Sequence, residues 1–341
     1  MTQLTTFEAG HEDLIHGVAY DFYGTKLATC SSDQRIKVWE ADDTGAWVLN
    51  EVIKARAAGL RPASSVIKVA WAHPEFGLVF ASCSADRQIR VWEEQEHEQR
   101  RSGHRWVKRA ELTDAKGSVH DIEFAPNHFG AKLASIGADG HLRIYEAMDP
   151  IKLHEWTLMD DIEIAPGISK ESEGLFCLSW CQSRMEPQMM VVGCGRDNTA
   201  RIYRQDSHNK WVAYEQLPGH GDVICDVAWA PSMGRTYHLI ATACKDGHVR
   251  IFKLTDESSG SGGAAVIPQG GQVRRRFRVE CVADLRDHNA EVWRVEWNIT
   301  GTILSSSGDD GKVRMWKASF TEGWKCISVM GAEFDGDAPT K

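Results

Sequence analysis

Residues 291–316 read EVWRVEWNITGTILSSSGDDGKVRMW, three short strands joined by two turns. Val292, Trp293, Val295 and Trp297 set an apolar/polar alternation, Gly301 marks a turn, and residues 302–307 form a second run. Asp309-Asp310-Gly311 then turns the chain tightly into a third alternating run that ends on Trp316. Alternation bounded by Gly and Asp is the pattern of a strand, and the spacing leaves no room for a helix.

The same unit recurs along the chain. An Asp followed six residues later by an aromatic appears as Asp33/Trp39, Asp86/Trp92, Asp139/Tyr145, Asp197/Tyr203, Asp246/Phe252 and Asp310/Trp316. Upstream of each pair an alternating segment ends in an aromatic: Tyr20, Trp71, Phe124, Trp180, Trp229 and Trp297. Between them lies a strand of small residues, such as LATCSSD, FASCSAD, LASIGAD or IATACKD. A fourth strand should follow each signature aromatic, marked by Trp47, Trp106, Trp156, Trp211 and Trp324, with residues 277–285 serving in the fifth unit. Units of about 40–60 residues built from short strands predict an all-β propeller, here of six blades. The thirteen tryptophans then serve blade-to-blade packing, where a large ring covers much area at little entropic cost.

Composition narrows the function. A content of 42% hydrophobic and 26% charged residues is that of a globular protein. No apolar run reaches the ~18 residues of a membrane helix, and the N-terminus lacks the basic start and apolar core of a secretory signal. The expectation is a cytosolic or nuclear protein without direct membrane insertion. A net charge of −9 argues against direct nucleic-acid binding. Nine cysteines without framework spacing fit a reducing compartment.

A search for chemistry finds little. Cys177 and Cys181 lack the second pair or nearby His of a zinc set. Gly193-x-Gly195 precedes a strand, so it fails as a phosphate cradle. Cys30, Cys83 and Cys194 each lie three residues before a signature Asp, which reads as one buried strand position. No Ser–His–acid or Cys–His set stands outside the repeat, so the expectation is a protein that is not an enzyme and needs no cofactor or metal.

These units resemble the WD-repeat family, whose blades carry a buried His–Ser/Thr–Asp–Trp set. The first blade matches with His11, Thr29, Asp33 and Trp39, and the last with His288, Ser306, Asp310 and Trp316. The fifth has His220, Thr242 and Asp246 but ends in Phe252, which cannot donate a hydrogen bond. Blade two keeps Ser82, Asp86 and Trp92, and blade three keeps Ser135 and Asp139, neither with the leading His. Blade four has Gly193 where the hydroxyl belongs. A role for the Asp in active-site acid chemistry is disfavoured by its six-fold recurrence.

Longer stretches are similar to the Seh-type nucleoporins, close relatives of the Sec-type propeller shared by the COPII coat and the nuclear pore. They include HEDLIHGVAYDFYGTKLATCSSDQRIKVW, WVKR, NITGT, SSGDDG and GWKC. The resemblance spans nearly the whole chain and is weakest at residues 160–173 and 256–272. It implies a six-bladed propeller that stays open and accepts a blade inserted in trans by an α-solenoid nucleoporin. It further implies membership of the Y-shaped coat of the nuclear pore at the nuclear envelope. A second pool in the SEA-type nutrient-signalling complex at the vacuolar or lysosomal membrane is also implied. The alternatives are a Sec-type vesicle-coat subunit and a peptide-reading WD-repeat adaptor.

The expected layout is one propeller over residues 1–330, with a flexible insertion at 256–271, a polar, solvated loop at 93–104 and a tail at 331–341. Residues 2–7 alternate loosely and are either a frayed tail or the outer strand of an incomplete seventh blade. The basic cluster Arg274, Arg275, Arg276 and Arg278 reads as a solvated strand edge before it reads as an import signal or partner contact. Partner contact is expected at the open edges: Leu4, Phe7, Leu14, Ile15, Val18 and Tyr20 on one side, and Val292, Trp293, Val295 and Trp297 on the other.

Overall fold

The structure is a computed structural model that describes residues 7–55, 64–149, 153–164, 175–256, 277–319 and 323–331. Leu4, Arg274, Arg275 and Arg276 lie outside the described residues, as do most of the 256–271 insertion and of the tail. The chain divides into two compact units, residues 1–173 and 174–341.

The first unit holds three four-stranded antiparallel blades, each a meander in chain order. Blade 1 is β1 (Ile15–Tyr20), β2 (Lys26–Ser31), β3 (Arg35–Ala41) and β4 (Trp47–Lys54). Blade 2 is β5 (Val66–Trp71), β6 (Val79–Ser84), β7 (Ile89–Glu94) and β8 (Trp106–Leu112). Blade 3 is β9 (Val119–Phe124), β10 (Lys132–Gly137), β11 (His141–Ala147) and β12 (Trp156–Glu163). The second unit repeats the plan. Blade 4 is β13 (Cys177–Trp180), β14 (Met189–Cys194), β15 (Thr199–Gln205) and β16 (Trp211–Leu217). Blade 5 is β17 (Ile224–Trp229), β18 (Tyr237–Cys244), β19 (Val249–Asp256) and β20 (Phe277–Leu285). Blade 6 is β21 (Val292–Trp297), β22 (Ile303–Gly308), β23 (Lys312–Ser319) and β24 (Gly323–Gly331).

The six upstream aromatics each end the first strand of a blade, and the predicted fourth strands fall where their tryptophans mark them. The two sets meet within each blade. Ring centroids lie 5.7 Å apart for Tyr20–Trp47, 5.7 Å for Trp71–Trp106, 6.3 Å for Phe124–Trp156, 5.8 Å for Trp180–Trp211 and 5.5 Å for Trp297–Trp324. In blade 5, His238 bridges Trp229 and Phe277 at 5.6 Å from each. Such edge-on and tilted contacts let one ring brace the first and last strands of a sheet.

Blades within a unit pack face to face. Ala28, Cys30, Ile36 and Val38 of blade 1 share a core with Val66, Val69, Phe80, Trp92 and Trp106 of blade 2. Ala81, Cys83, Ile89 and Val91 of blade 2 do the same with Val119, Ile122 and Phe124 of blade 3. In the second unit, Ala241, Ala243, Val249 and Ile251 of blade 5 meet Val292, Val295 and Trp297 of blade 6.

The loop between β7 and β8 is solvated as expected, residues 96–104 all being exposed, and it is also tied to blade 1. The Arg101 amide donates to the Asn50 carbonyl at 2.9 Å, and the Gly103 amide donates to Glu51 Oε2 at 3.0 Å. At its foot the buried Glu94 carboxylate accepts from Arg105 Nε at 2.7 Å and Lys26 Nζ at 3.1 Å. A polar composition therefore did not mean a free loop, because charged side chains here find partners on the neighbouring blade.

Candidate partner-binding site

The six aspartates all stand at the turn between the second and third strands of a blade. The residue after each has a positive φ, whether it is Gly140, Gly247 and Gly311 or Gln34, Arg87 and Asn198. In five blades the Asp carboxylate accepts the amide two residues on, from 2.9 Å at Arg35 to 3.3 Å at His141. This is the Asx turn that makes Asp favourable there.

Blade 1 forms a four-residue relay. Trp39 Nε1 donates to Thr29 Oγ1 at 3.2 Å, Thr29 Oγ1 lies 2.9 Å from His11 Nε2, and His11 Nδ1 lies 2.8 Å from Asp33 Oδ2. An ionised Asp only accepts, so His11 Nδ1 is the donor of that bond. Blade 6 repeats this with Trp316 to Ser306 at 2.8 Å, Ser306 to His288 at 2.7 Å and His288 to Asp310 at 3.0 Å. In blade 2, Trp92 donates to Ser82 at 2.9 Å. In blade 5, His220 Nε2 meets Thr242 Oγ1 at 2.9 Å, while its ring turns a face toward Phe252 instead of bonding Asp246. Ser135 of blade 3 is buried at the equivalent place.

The histidine-poor blades hold their Asp by another residue that the motif reading overlooked. An Arg four residues on pairs with it: Arg90–Asp86 at 2.5 Å, Arg143–Asp139 at 2.7 Å, Arg201–Asp197 at 2.7 Å and Arg250–Asp246 at 2.8 Å. Arg314 pairs with Asp310 as well. Blade 1 has Lys37 there, and its Nζ donates to the Ala9 and Gly10 carbonyls at 2.8 and 2.6 Å. The signal, Asp-x-x-x-Arg five times, was visible in the sequence. Burial alone would push these carboxyls up, but the pairing prevails. Asp139, hydrogen-bonded by Arg143 and the Lys116 amide, lies below its ordinary value, and Asp310, held by Arg314 and His288, falls to about 2.

Blade 4 corrects two expectations. Its turn is one residue longer and contains a short 3-10 helix, Gly195–Asp197. Gly193 pairs with Ala200 and Val192 with Arg201, whereas in blade 1 Cys30 pairs with Ile36 and Thr29 with Lys37. A one-residue slip sends every side chain to the other face. Val192, and not Gly193, therefore stands where the hydroxyl stands elsewhere. Gly193 takes the place of Cys30 and Cys83, and Cys194 is buried on the opposite side. A side chain at Gly193 would collide with Cys177 Sγ and lie 3.3 Å from Ile224 Cγ2, which is why the position is Gly.

Against this regular background two sheet faces stand bare. Val69, Ile122, Val227 and Val295 occupy the same place in the first strands of blades 2, 3, 5 and 6, and they are 3%, 0%, 3% and 4% exposed. Their counterpart in blade 1 is Val18, which is 58% exposed. Leu14, Ile15 and Tyr20 beside it are exposed too. Phe7 does not join this row: it lies in no strand, and its ring rests 5.0 Å from Trp39 and 6.4 Å from Trp47 of the same blade. On blade 6, Val313 is 37% exposed where Ile36, Ile89 and Val249 are 1% or less. Ile327 and Val329 of β24 are exposed too, but Val329 pairs with Arg314 and so lies on the opposite face from Val313.

The expected edge on blade 6 had the wrong parity. Val292, Val295 and Trp297 are buried in the core shared with blade 5, with the Trp297 indole donating to the Ala228 carbonyl at 3.1 Å. Trp293 donates to Asp309 at 2.6 Å and carries Lys245 Nζ of blade 5 over its ring at 4.9 Å. Alternation shows that a strand has two faces; which neighbour covers each is decided by packing. The bare face of blade 6 belongs to the other parity, through Val313 on β23. Among the described residues no three His, Cys, Asp or Glu side chains gather as a metal site.

Six four-stranded blades, two of them with complete His–Ser/Thr–Asp–Trp relays, define a WD-repeat β-propeller whose distinctive surface among the described residues is bare sheet face. The WD domain, G-beta repeat model matches residues 1–40, 63–93, 211–253 and 279–317. The chain is 46% identical to Nucleoporin seh1 of Schizosaccharomyces pombe over 96% of each chain. It is 42% identical to Nucleoporin SEH1 of Saccharomyces cerevisiae over 96% of this chain and 99% of the relative. It is also 42% identical to Nucleoporin SEH1-A of Xenopus laevis over 94% and 86%. The chain belongs to the Seh1 family of nucleoporins.

Proposed function

We propose that the protein is a non-catalytic scaffold of the nuclear pore coat at the nuclear envelope, recruited by strand addition. An α-solenoid nucleoporin supplies strands that cover the bare face of blade 1 and that of blade 6, and so brings the chain into the Y-shaped complex. The exposed row Ile15, Val18 and Tyr20 carries this reading, because Val119, Ile122 and Phe124, Ile224, Val227 and Trp229, and Val292, Val295 and Trp297 hold the same places buried in blades 3, 5 and 6. A contiguous apolar sheet face left exposed marks a docking surface for another chain's apolar face. Membership of a SEA-type complex at the vacuolar or lysosomal membrane belongs to the same proposal, since one face serves any solenoid subunit bearing the complementary strands.

The test is native isolation of the tagged chain, with bound chains identified, beside an Ile15→Asp/Val18→Asp variant. The expected result is a solenoid nucleoporin recovered with the parent and lost with the variant at unchanged melting temperature. Equal recovery by both would refute docking on blade 1.

A further inference from the structure

Residues 99–104, QRRSGH, form the exposed tip of the loop between β7 and β8. Arg101 and Gly103 take φ of 60° and 77°, so the chain turns on both sides of Ser102. The tip is held to β4 of blade 1 by the Arg101 amide on the Asn50 carbonyl, the Gly103 amide on Glu51 Oε2 and the Arg100 guanidinium 2.8 Å from Glu40 Oε2. Arg101 Nε adds a bond to the Leu49 carbonyl at 3.2 Å. The foot is stronger, because there Lys26 and Arg105 clasp a Glu94 side chain that is 0% exposed. Lys26, Arg100 and Arg105 thus face Glu40, Glu51 and Glu94 across one seam, and a charge added at the tip upsets its balance.

Ser102 is where such a charge can be added. Among the described residues the exposed serines are Ser102, Ser207 and Ser328. Ser328 is paired within β24, and Ser207 follows Asp206, whose carboxylate already holds the His208 and Lys210 amides. Ser102 instead follows two arginines in a loop tied by exposed bonds, which opens at little cost. Its hydroxyl accepts only a local bond, from the His104 amide at 3.1 Å. Kinases select substrates by the charge pattern around the acceptor.

We propose that Ser102 is the phosphorylation site of an arginine-directed serine kinase, and that the phosphate frees the loop tip from β4. In the kinase, Ser102 Oγ attacks the γ-phosphorus of ATP, the bond to the bridging oxygen breaks to release ADP, and the hydroxyl proton passes to the kinase's base. The product carries about two negative charges, one residue from the Gly103 amide that Glu51 accepts. Glu51 is 5% exposed, so water screens the repulsion poorly. The Arg100 side chain, 53% exposed, turns from Glu40 to the phosphate, which offers three acceptors in place of one carboxylate. Both changes undo tip contacts and leave the buried pairs of Glu94 in place.

The test has two arms. The chain is isolated from its own cells with phosphatase inhibitors present, and the peptides across residues 93–108 are read by mass spectrometry. Phosphate at Ser102 is expected; full coverage of these residues with no phosphate there would overturn the site. Hydrogen exchange is then compared before and after treatment of the full chain with an arginine-directed serine kinase, Mg²⁺ and ATP. Peptides across residues 96–104 should exchange about tenfold faster once phosphorylated, while those across residues 106–112 stay unchanged. Ser102→Ala should show neither incorporation nor acceleration, and in Glu51→Gln the phosphate should add little. Unchanged exchange after full incorporation would overturn the release of the tip, and equal acceleration in Glu51→Gln would overturn its electrostatic cause.

Discussion

Replacing Asp139 by Ala tests how the blades are held at their turns. The Asp139 and Arg143 side chains are 5% and 1% exposed, so the substitution leaves the buried guanidinium with only the half-exposed Asp161, 3.5 Å from its Nε. It also removes the acceptor of the Lys116 amide at 2.8 Å and of the His141 amide at 3.3 Å. Breaking a buried pair from one side costs about 3–5 kcal/mol. For a unit of 173 residues, at about 2–4 °C per kcal/mol, this lowers the melting temperature of the first unit by about 10 °C. The same motif in blade 4 supplies the contrast. Asp197 and Arg201 are 46% and 29% exposed, and an exposed pair contributes at most about 1 kcal/mol. Asp197→Ala should therefore shift the second unit by no more than about 2–4 °C. Adding Arg143→Met to Asp139→Ala should recover most of the loss, because no buried charge is then left alone. Thermal unfolding followed by scanning calorimetry measures each shift. Equal small shifts for Asp139→Ala and Asp197→Ala, or no recovery in the double variant, would refute the view that burial sets the strength of these pairs.

Other outcomes follow from the same geometry. Gly193→Ala should destabilise the second unit by about 1–3 kcal/mol through its clash with Cys177, and Cys177→Ala should relieve it; denaturant midpoints of the three variants check this. His238 is buried and lies near Arg235, and its folded pKa falls to about 4 from an ordinary 6.5. Its contribution is therefore complete above pH 6.5 and is lost as pH falls toward 4, so His238→Phe should flatten the pH dependence of melting across that window. Asp310 behaves likewise at lower pH, its contribution present above its ordinary 3.8 and lost toward about 2. Asp310→Asn should blunt the acid loss of stability in unfolding curves between those values. Val18→Asp should leave melting nearly unchanged, since 58% of the side chain is already exposed, while abolishing recovery of the solenoid partner.

The sequence by itself determined the units, their number and their strand ends. Period-two alternation, Asp turns and terminal aromatics are local signals, and each is satisfied within one hairpin. The relays of blades 1 and 6 were legible for the same reason, since His11 and His288 stand at a fixed offset from their Asp. Tertiary structure alone decided which face of each blade is covered. Val295 and Val18 are the same residue at the same repeat position, yet one is core and the other exposed, because only one has a neighbouring blade against it. The same holds for Trp297, whose parity was invisible until blade 5 was seen to receive its indole. Blade 4 shows the other limit: one extra turn residue shifts the pairing and moves Val192 to the place assigned to Gly193. Alternation defines two faces, but the free energy that chooses between them comes from long-range packing, which local sequence does not encode.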